Sequence, residues 1–378
     1  MRRRIAAALA AVLLVSLLGG CTPGKKEGAE APELFSRITG IEPDKTVVTV
    51  GDTPVSAQLY FYWVCYVCSS LEYSILNDYE SYGMYGSCVD TDTMTVNWDS
   101  TYNGMPLMDY AVAQAEETMK YCLAIEALAR EAGAELTQQD QKTMQEQFRQ
   151  SVEQMGGEES FRTYLNMLGI SRETFDRVNA FAFLYDKLLA LVLEPGSSLY
   201  LEPEAYNRYA AYADHILLAN QDMRTGELLT PEKSAQKYLQ AEELLAQLRS
   251  AEDPQALFDQ LAGEYSEDPG RQNNPTGYVY TPGSMVPEFE QAVAGLQPGQ
   301  ISEVVQSDYG FHIILRRDLL PVLESSPEKK AAVAGEYLDE LLTDRQKDAE
   351  VHYDPCLKDM DWIGFYAAYL KEVDALAG

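Results

Sequence analysis

The sequence predicts an α+β protein: a mainly helical region over residues 45–200, resumed by a helical segment at 321–378, with a module of strands and helices over 205–320 set between them. Three observations carry this. Stretches between Ser56 and Leu193 repeat apolar residues at helical spacing. From Pro203 the texture changes to strand, helix, helix, loop, strand, helix, strand, strand, an order that describes helices packed on a small, mainly antiparallel sheet. The residues after Pro321 are too few to bury a core alone, so they are expected to pack back on the helical region, which makes the module an insertion.

Taken in order, Thr46–Val50 reads as a β-branched strand, Gly51 and Asp52 as a turn, and Ser56 as the N-cap of a helix. A second helix carries Ala111, Ala115, Thr118, Cys122, Ile125 and Ala129 on one stripe and ends at Gly133. Two more follow, one beginning at "TQQDQ" and one at "SRETF", and "EPGS" closes the region. In the module "YADHILLA" is a strand. Thr230 caps a helix with Pro231 at its first position, and Tyr238, Ala241, Leu245 and Leu248 share one of its faces. "DPQALFDQLAGEYS" is a helix, "SEDPGRQNNPTG" a loop and "YVYT" a strand. Pro287 opens a further helix, and "SEVVQ" and "GFHIILRRD" are the last strands.

The N-terminus has its own logic. "MRRRIAAALAAVLLVSLLGGC" is basic, then apolar from Ile5 to Leu18, then small before Cys21. The run is short for a membrane span and suits a signal peptide, residues 1–20. "LLGGC" resembles the lipobox of bacterial lipoproteins, in which the cysteine is acylated and becomes the first mature residue; Cys21 is the expected lipidation site. Residues 21–44 read as a polar, proline-bearing tether. A formal net charge of −30 argues against nucleic acid as a partner and against electrostatic docking on anionic lipid, so contact with the membrane is expected only through the N-terminal lipid.

The remaining cysteines, Cys65, Cys68, Cys88, Cys122 and Cys356, are odd in number and irregular in spacing, unlike a disulfide framework. The CxxC of Cys65 and Cys68 lies in an apolar run, mid-helix rather than at the helix N-terminus a redox thiolate needs, and reads as core packing rather than redox chemistry. The histidines, His215, His312 and His352, show no metal-ligand spacing. There is no GxGxxG, Walker loop or GxSxG. What stands out is that two of three histidines sit inside apolar strands.

"ADHILL", "LFDQLAGEYSEDP", "PGSMVPEFEQAV", "LQPGQISEVV" and "DYGFHII" resemble, in order and spacing, the parvulin family of peptidyl-prolyl isomerases. With the N-terminal anchor and flanking helices, the chain looks like extracytoplasmic foldase lipoproteins of the PrsA type, whose N-terminal region is similar to the chaperone domains of SurA and trigger factor; "TVGDTPVSAQLYFY" resembles the opening of such a domain. The resemblance implies a four-stranded, mainly antiparallel sheet surrounded by helices, inserted in a helical chaperone domain. It implies no cofactor, and it implies partners that are unfolded or folding secreted polypeptides with X-Pro bonds; a homodimer is compatible with it.

Residue by residue, the resemblance matches His215 and His312 to the family's paired histidines, Asp268 to a position that is an acid or a cysteine, and Ser307 to a hydroxyl position near the second histidine. Met285 and Phe289, one helical turn apart, match the apolar residues that cradle the proline ring. One departure is visible: "NNPTGYVYTPG" replaces the family's "GGDLG", which sets Gly277 where a leucine closes the pocket.

Bland readings stand beside these. Two histidines on neighbouring strands also describe a core pair that orders a sheet, and Met285 and Phe289 also describe core. The dense tyrosines Tyr60, Tyr62, Tyr66, Tyr73, Tyr79, Tyr82 and Tyr85 fit helix packing or a wet, amphipathic cradle for unfolded chains. The expected function is a lipid-anchored isomerase and chaperone outside the cytoplasmic membrane. The alternative is a holdase with little or no turnover, which an open pocket at Gly277 would favour. A third reading, an anchored thiol oxidoreductase, rests only on Cys65 and Cys68.

Overall fold

A computed structural model describes residues 33–377. Residues 1–20 and Cys21 lie outside them. The chain divides into two compact units, one made of the stretch up to Ala190 together with Asp339 onwards, the other of Leu191–Leu338.

The described part of the first unit begins with α1 (Glu33–Thr39), where the sequence reading has the end of a tether over 21–44, whose residues 21–32 lie outside the described residues: Leu34 and Phe35 are buried, so the stretch from Glu33 folds as an amphipathic turn. Strands β1 (Thr46–Val50) and β2 (Thr53–Ser56) form an antiparallel hairpin at Gly51 and Asp52. The 26-residue α2 (Ala57–Tyr82) is buried nearly all round from Ala57 to Cys68, as expected of a helix apolar on every side. Two-residue strands β3 (Val89–Asp90) with β4 (Thr95–Val96), and β5 (Thr101–Tyr102) with β6 (Met105–Pro106), precede α3 (Leu107–Ala132). The buried stripe of α3 runs through Met119 rather than Thr118, whose hydroxyl is turned back onto the carbonyl of Gln114. Helices α4 (Gln138–Gln154), α5 (Glu158–Leu168) and α6 (Arg172–Leu193) complete this stretch.

Cys65 and Cys68 stand mid-helix in α2, both buried and free. Burial pushes both thiols up, the reverse of what a redox thiolate needs.

The second unit contains the short α7 (Tyr206–Tyr209), β7 (Ala211–Ala219), α8 (Pro231–Ser250), α9 (Pro254–Tyr265), β8 (Tyr278–Tyr280), α10 (Pro287–Ala294), β9 (Val305–Ser307) and β10 (Gly310–Arg317). The sheet is four-stranded and antiparallel, in the order β8-β7-β10-β9. Period-2 alternation sends Ile216, Leu218, Phe311, Ile313 and Leu315 to a core built with Leu244, Leu245 and Leu248 of α8 and Phe258 of α9. Leu244 fills the place read for Tyr238, which is largely exposed. The unit is wider than the module of 205–320. Helices α11 (Leu319–Ser325) and α12 (Pro327–Asp348) follow β10, and Tyr337 of α12 packs edge-on against Tyr209 with ring centroids 5.5 Å apart.

The first unit then resumes with β11 (Val351–Tyr353), which pairs with β1, and α13 (Trp362–Ala377). The sequence reading has no strand here, and three residues are too few to show alternation. α13 seats Phe365, Tyr366 and Tyr369 in the same core as Phe35 and Phe61; the Phe61 and Phe365 centroids are 5.0 Å apart.

Candidate active site

His215 on β7 and His312 on β10 are brought together by register, since Ile314 pairs with His215 and Leu217 with His312. Both project to the sheet face opposite α8 and α9, where α10 lays Phe289 against the sheet beside Ala213, Tyr280 and Ile314. The two imidazoles are 5.2 Å apart, centroid to centroid, and nearly perpendicular. The Phe289 ring stands 5.3 Å from His215 and 6.0 Å from His312.

Asp268 reaches this group because the chain after α9 runs beside β7. Strand β8 covers β7 only as far as Ala213, and the exposed backbone beyond needs other partners. The Ser266 hydroxyl donates to the carbonyl of His215 and accepts from the N–H of Leu217; Glu267 donates its own N–H to the carbonyl of Leu217 and accepts from the N–H of Ala219. The next residue, Asp268, then caps the turn Pro269–Gln272 by accepting from Gly270 N–H at 3.0 Å. Its other carboxylate oxygen accepts from the Tyr278 hydroxyl at 2.5 Å and lies 3.4 Å from His215 Nε2. The His215 contact is electrostatic, because neither ring nitrogen has an aligned hydrogen bond. Burial works against the charge of Asp268, but His215 and Tyr278 outweigh it and hold the carboxyl down at about 2.

On the other side of the pair, Ser307 Oγ and His312 Nε2 are 2.7 Å apart, and the same oxygen accepts the N–H of Tyr309. Burial, helped by nearby His215, drops the pKa of His312 to about 3, so the ring is neutral at physiological pH. At pH 7 the site therefore holds one fixed carboxylate beside one uncharged imidazole.

The structure thus gathers His215, Asp268, Ser307, His312 and Phe289. Met285 is placed differently from its reading: it precedes α10, whose N-cap is Val286 and whose first residue is Pro287, so it is no helical turn from Phe289 but joins the same cluster from the loop, half-buried. Glu290 fixes that loop by accepting from the N–H groups of Gly283 and Met285. His352 lies on β11 and is exposed.

Gly277 is also corrected. It is no vacated pocket position. Its φ is +99°, and a Cβ there would collide with the carbonyl of Ala213 and stand 2.7 Å from Asp214 Cα. Glycine is what lets the chain turn onto β7 to start β8. Tyr278, the next residue, stacks on His215 at 6.0 Å and bonds to Asp268.

Sequence reasoning missed Tyr278 as a partner of the acid, and it missed the buried Asp214, next to His215, with the two half-buried arginines it pairs with, Arg271 and Arg317. A carboxylate in the apolar strand "ADHILL" was the available signal.

Residues 215–318 match the rotamase family, the PPIC-type PPIase domain. The second unit is a parvulin-type peptidyl-prolyl cis/trans isomerase domain, and the chain carrying it is an enzyme of that class. More particularly, the chain is a parvulin-type relative of the PrsA foldases: foldase protein PrsA of Staphylococcus aureus (strain Newman) is 28% identical over 225 residues, 58% of this chain and 67% of that protein. Among solved structures, the peptidylprolyl isomerase PrsA of Bacillus cereus is 24% identical, covering 72% of this chain and 90% of its own, with a TM-score of 0.28. NmPin, the parvulin of Nitrosopumilus maritimus, is 30% identical and covers 29% of this chain and 97% of its own, with a TM-score of 0.21.

Proposed function

We propose that the chain is a lipid-anchored foldase, held outside the cytoplasmic membrane through Cys21 and accelerating the isomerisation of X-Pro bonds in polypeptides as they fold. The observation that carries the reading is the convergence of His215, Asp268, Ser307 and His312 beside Phe289 on one sheet face.

The chemistry asks little of covalent catalysis. Rotation about a prolyl amide crosses roughly 18–20 kcal/mol because conjugation is lost, and no bond breaks. In the planar amide the oxygen carries partial negative charge and the nitrogen is electron-poor; twisting returns the lone pair to nitrogen. A site that favours the twisted form grips the proline ring in apolar surroundings and offers no cation to the planar carbonyl oxygen. Phe289 and Met285 supply the apolar wall. A neutral His312, held by Ser307, supplies an oriented dipole that needs no rearrangement as the bond turns, and Asp268 keeps His215 in place beside it.

The chaperone half of the reading draws support from the first unit. A cleft of about 490 Å³ is walled by Tyr62, Tyr66, Phe148, Tyr164 and Phe175 and rimmed by amide side chains such as Gln141 and Asn179. Rings for apolar side chains and amides for a peptide backbone suit an unfolded segment. Of the seven tyrosines singled out in the sequence, only Tyr62 and Tyr66 line it; Tyr60 is buried on Glu116, and Tyr73 and Tyr82 face solvent.

The full chain is expected to accelerate cis to trans isomerisation of short X-Pro peptides, and His215→Ala to lose about 100-fold of that acceleration. A folded parent that leaves the spontaneous rate unchanged would sink the isomerase reading. For the anchor, Cys21→Ser is expected to move the chain from the membrane fraction to the soluble fraction, and equal membrane retention of parent and variant would remove it.

A further inference from the structure

We propose that Arg271 is a positioning residue for isomerisation, acting through Asp214 from the sheet face opposite the histidines. The proposal rests on the assignment of His215 and Asp268 to the reaction.

Asp214 is almost wholly buried, on the side of β7 that faces α8 and α9. One of its oxygens accepts the backbone N–H of His215 at 2.8 Å and Arg271 Nη1 at 2.6 Å; the other accepts Arg317 Nη2 at 2.9 Å. Arg317, at the end of β10, also pairs with Asp259 of α9. A single carboxylate therefore ties together three segments: the strand that carries His215, the turn three residues after Asp268, and the strand that carries His312. The N–H it accepts is one that β8 leaves uncovered, so Asp214 stands in for a strand partner at the histidine itself.

The acid of the site sits on a turn, and turns hold geometry less firmly than strands. Asp268 is fixed at its own end by Gly270 N–H and Tyr278. At the far end of the turn, Arg271 is the bridge to the sheet. Removing that guanidinium frees the turn to shift Asp268 relative to His215, and small displacements of a preorganised group are costly to rate. Asp214 would keep Arg317 and so would not be left as an unpaired buried charge, which makes Arg271 the better place to cut than Asp214.

The experiment uses the full chain with Arg271→Ala, Arg271→Lys and His215→Ala, each assayed on X-Pro peptides, together with the ¹³C titration of the Asp268 carboxyl in parent and Arg271→Ala. Expected are a fall in kcat of about tenfold or more for Arg271→Ala with little change in KM, partial recovery in Arg271→Lys, and a rise in the Asp268 titration midpoint. A parental kcat and parental Asp268 midpoint in folded Arg271→Ala would overturn the proposal, as would lowered thermal stability with both unchanged. If His215→Ala keeps the parental rate, the assignment of the site fails instead, and the Asp268 titration still decides whether Arg271 positions the acid.

Discussion

Between pH 7 and pH 4 the second unit is expected to lose roughly 3 kcal/mol of stability through His312 alone. Burial, reinforced by His215, lowers this histidine from 6.5 to about 3. Between those values the unfolded chain takes up a proton that the folded chain refuses, so stability falls as pH falls, beginning near 6.5 and levelling off below about 3. Asp268 adds to the same trend at lower pH: its stabilising charge is fully present above 3.8 and lost as pH falls through about 2. Trp63, Trp98 and Trp362 all belong to the first unit, so intrinsic tryptophan fluorescence does not report this loss. Amide exchange along β10 does. His312→Gln, which keeps a hydrogen-bonding side chain but cannot titrate, is expected to flatten the slope, and an unchanged slope would show that the imidazole is not held neutral by the fold.

Gly277→Ala is expected to cost the second unit about 3 kcal/mol or more and most of its isomerase activity. A side chain at that φ is strained in itself, and here it also meets main-chain atoms of Ala213 and Asp214, which cannot move aside as a flexible side chain would. Strand β8 would have to lift from β7, carrying Tyr278 away from Asp268. Gly226 offers the control. It has a similar left-handed φ of +72° but nothing within 4 Å, so Gly226→Ala bears only the local strain, about 1 kcal/mol. Equal thermal stabilities for the two variants would mean that the close approach at Gly277 is not a constraint.

Much of the second unit was legible in the sequence because its signals are local. Alternation in "GFHIILRR", proline at the first turn of α8 and α10, and the turn formers between Ser266 and Gly277 each act over a few residues. Placing Met285 on the helix failed for an equally local reason, since Pro287 starts α10 only after it. The pairings that complete the site are of another kind. Asp214 meets Arg271 across 57 positions and Arg317 across 103, and Tyr278 reaches Asp268 only after the turn has closed. No periodicity encodes such partners. Gly277 shows the same limit from the other side: by spacing it looked like a missing leucine, whereas it answers to the backbone of a strand more than sixty residues earlier. β11 escaped because a three-residue strand exists only by virtue of its neighbour.

That neighbour sets the order in which the chain can finish folding. Val48 pairs with Tyr353, and Phe35 and Phe61 share a core with Phe365. The ribosome delivers these halves far apart in time, whereas Leu191–Leu338 emerges as one uninterrupted run. The isomerase unit can therefore complete itself while the helical unit still waits for its last strand and helix. A truncation that removes the final thirty or so residues should strike the helical unit and leave the sheet of the histidines intact.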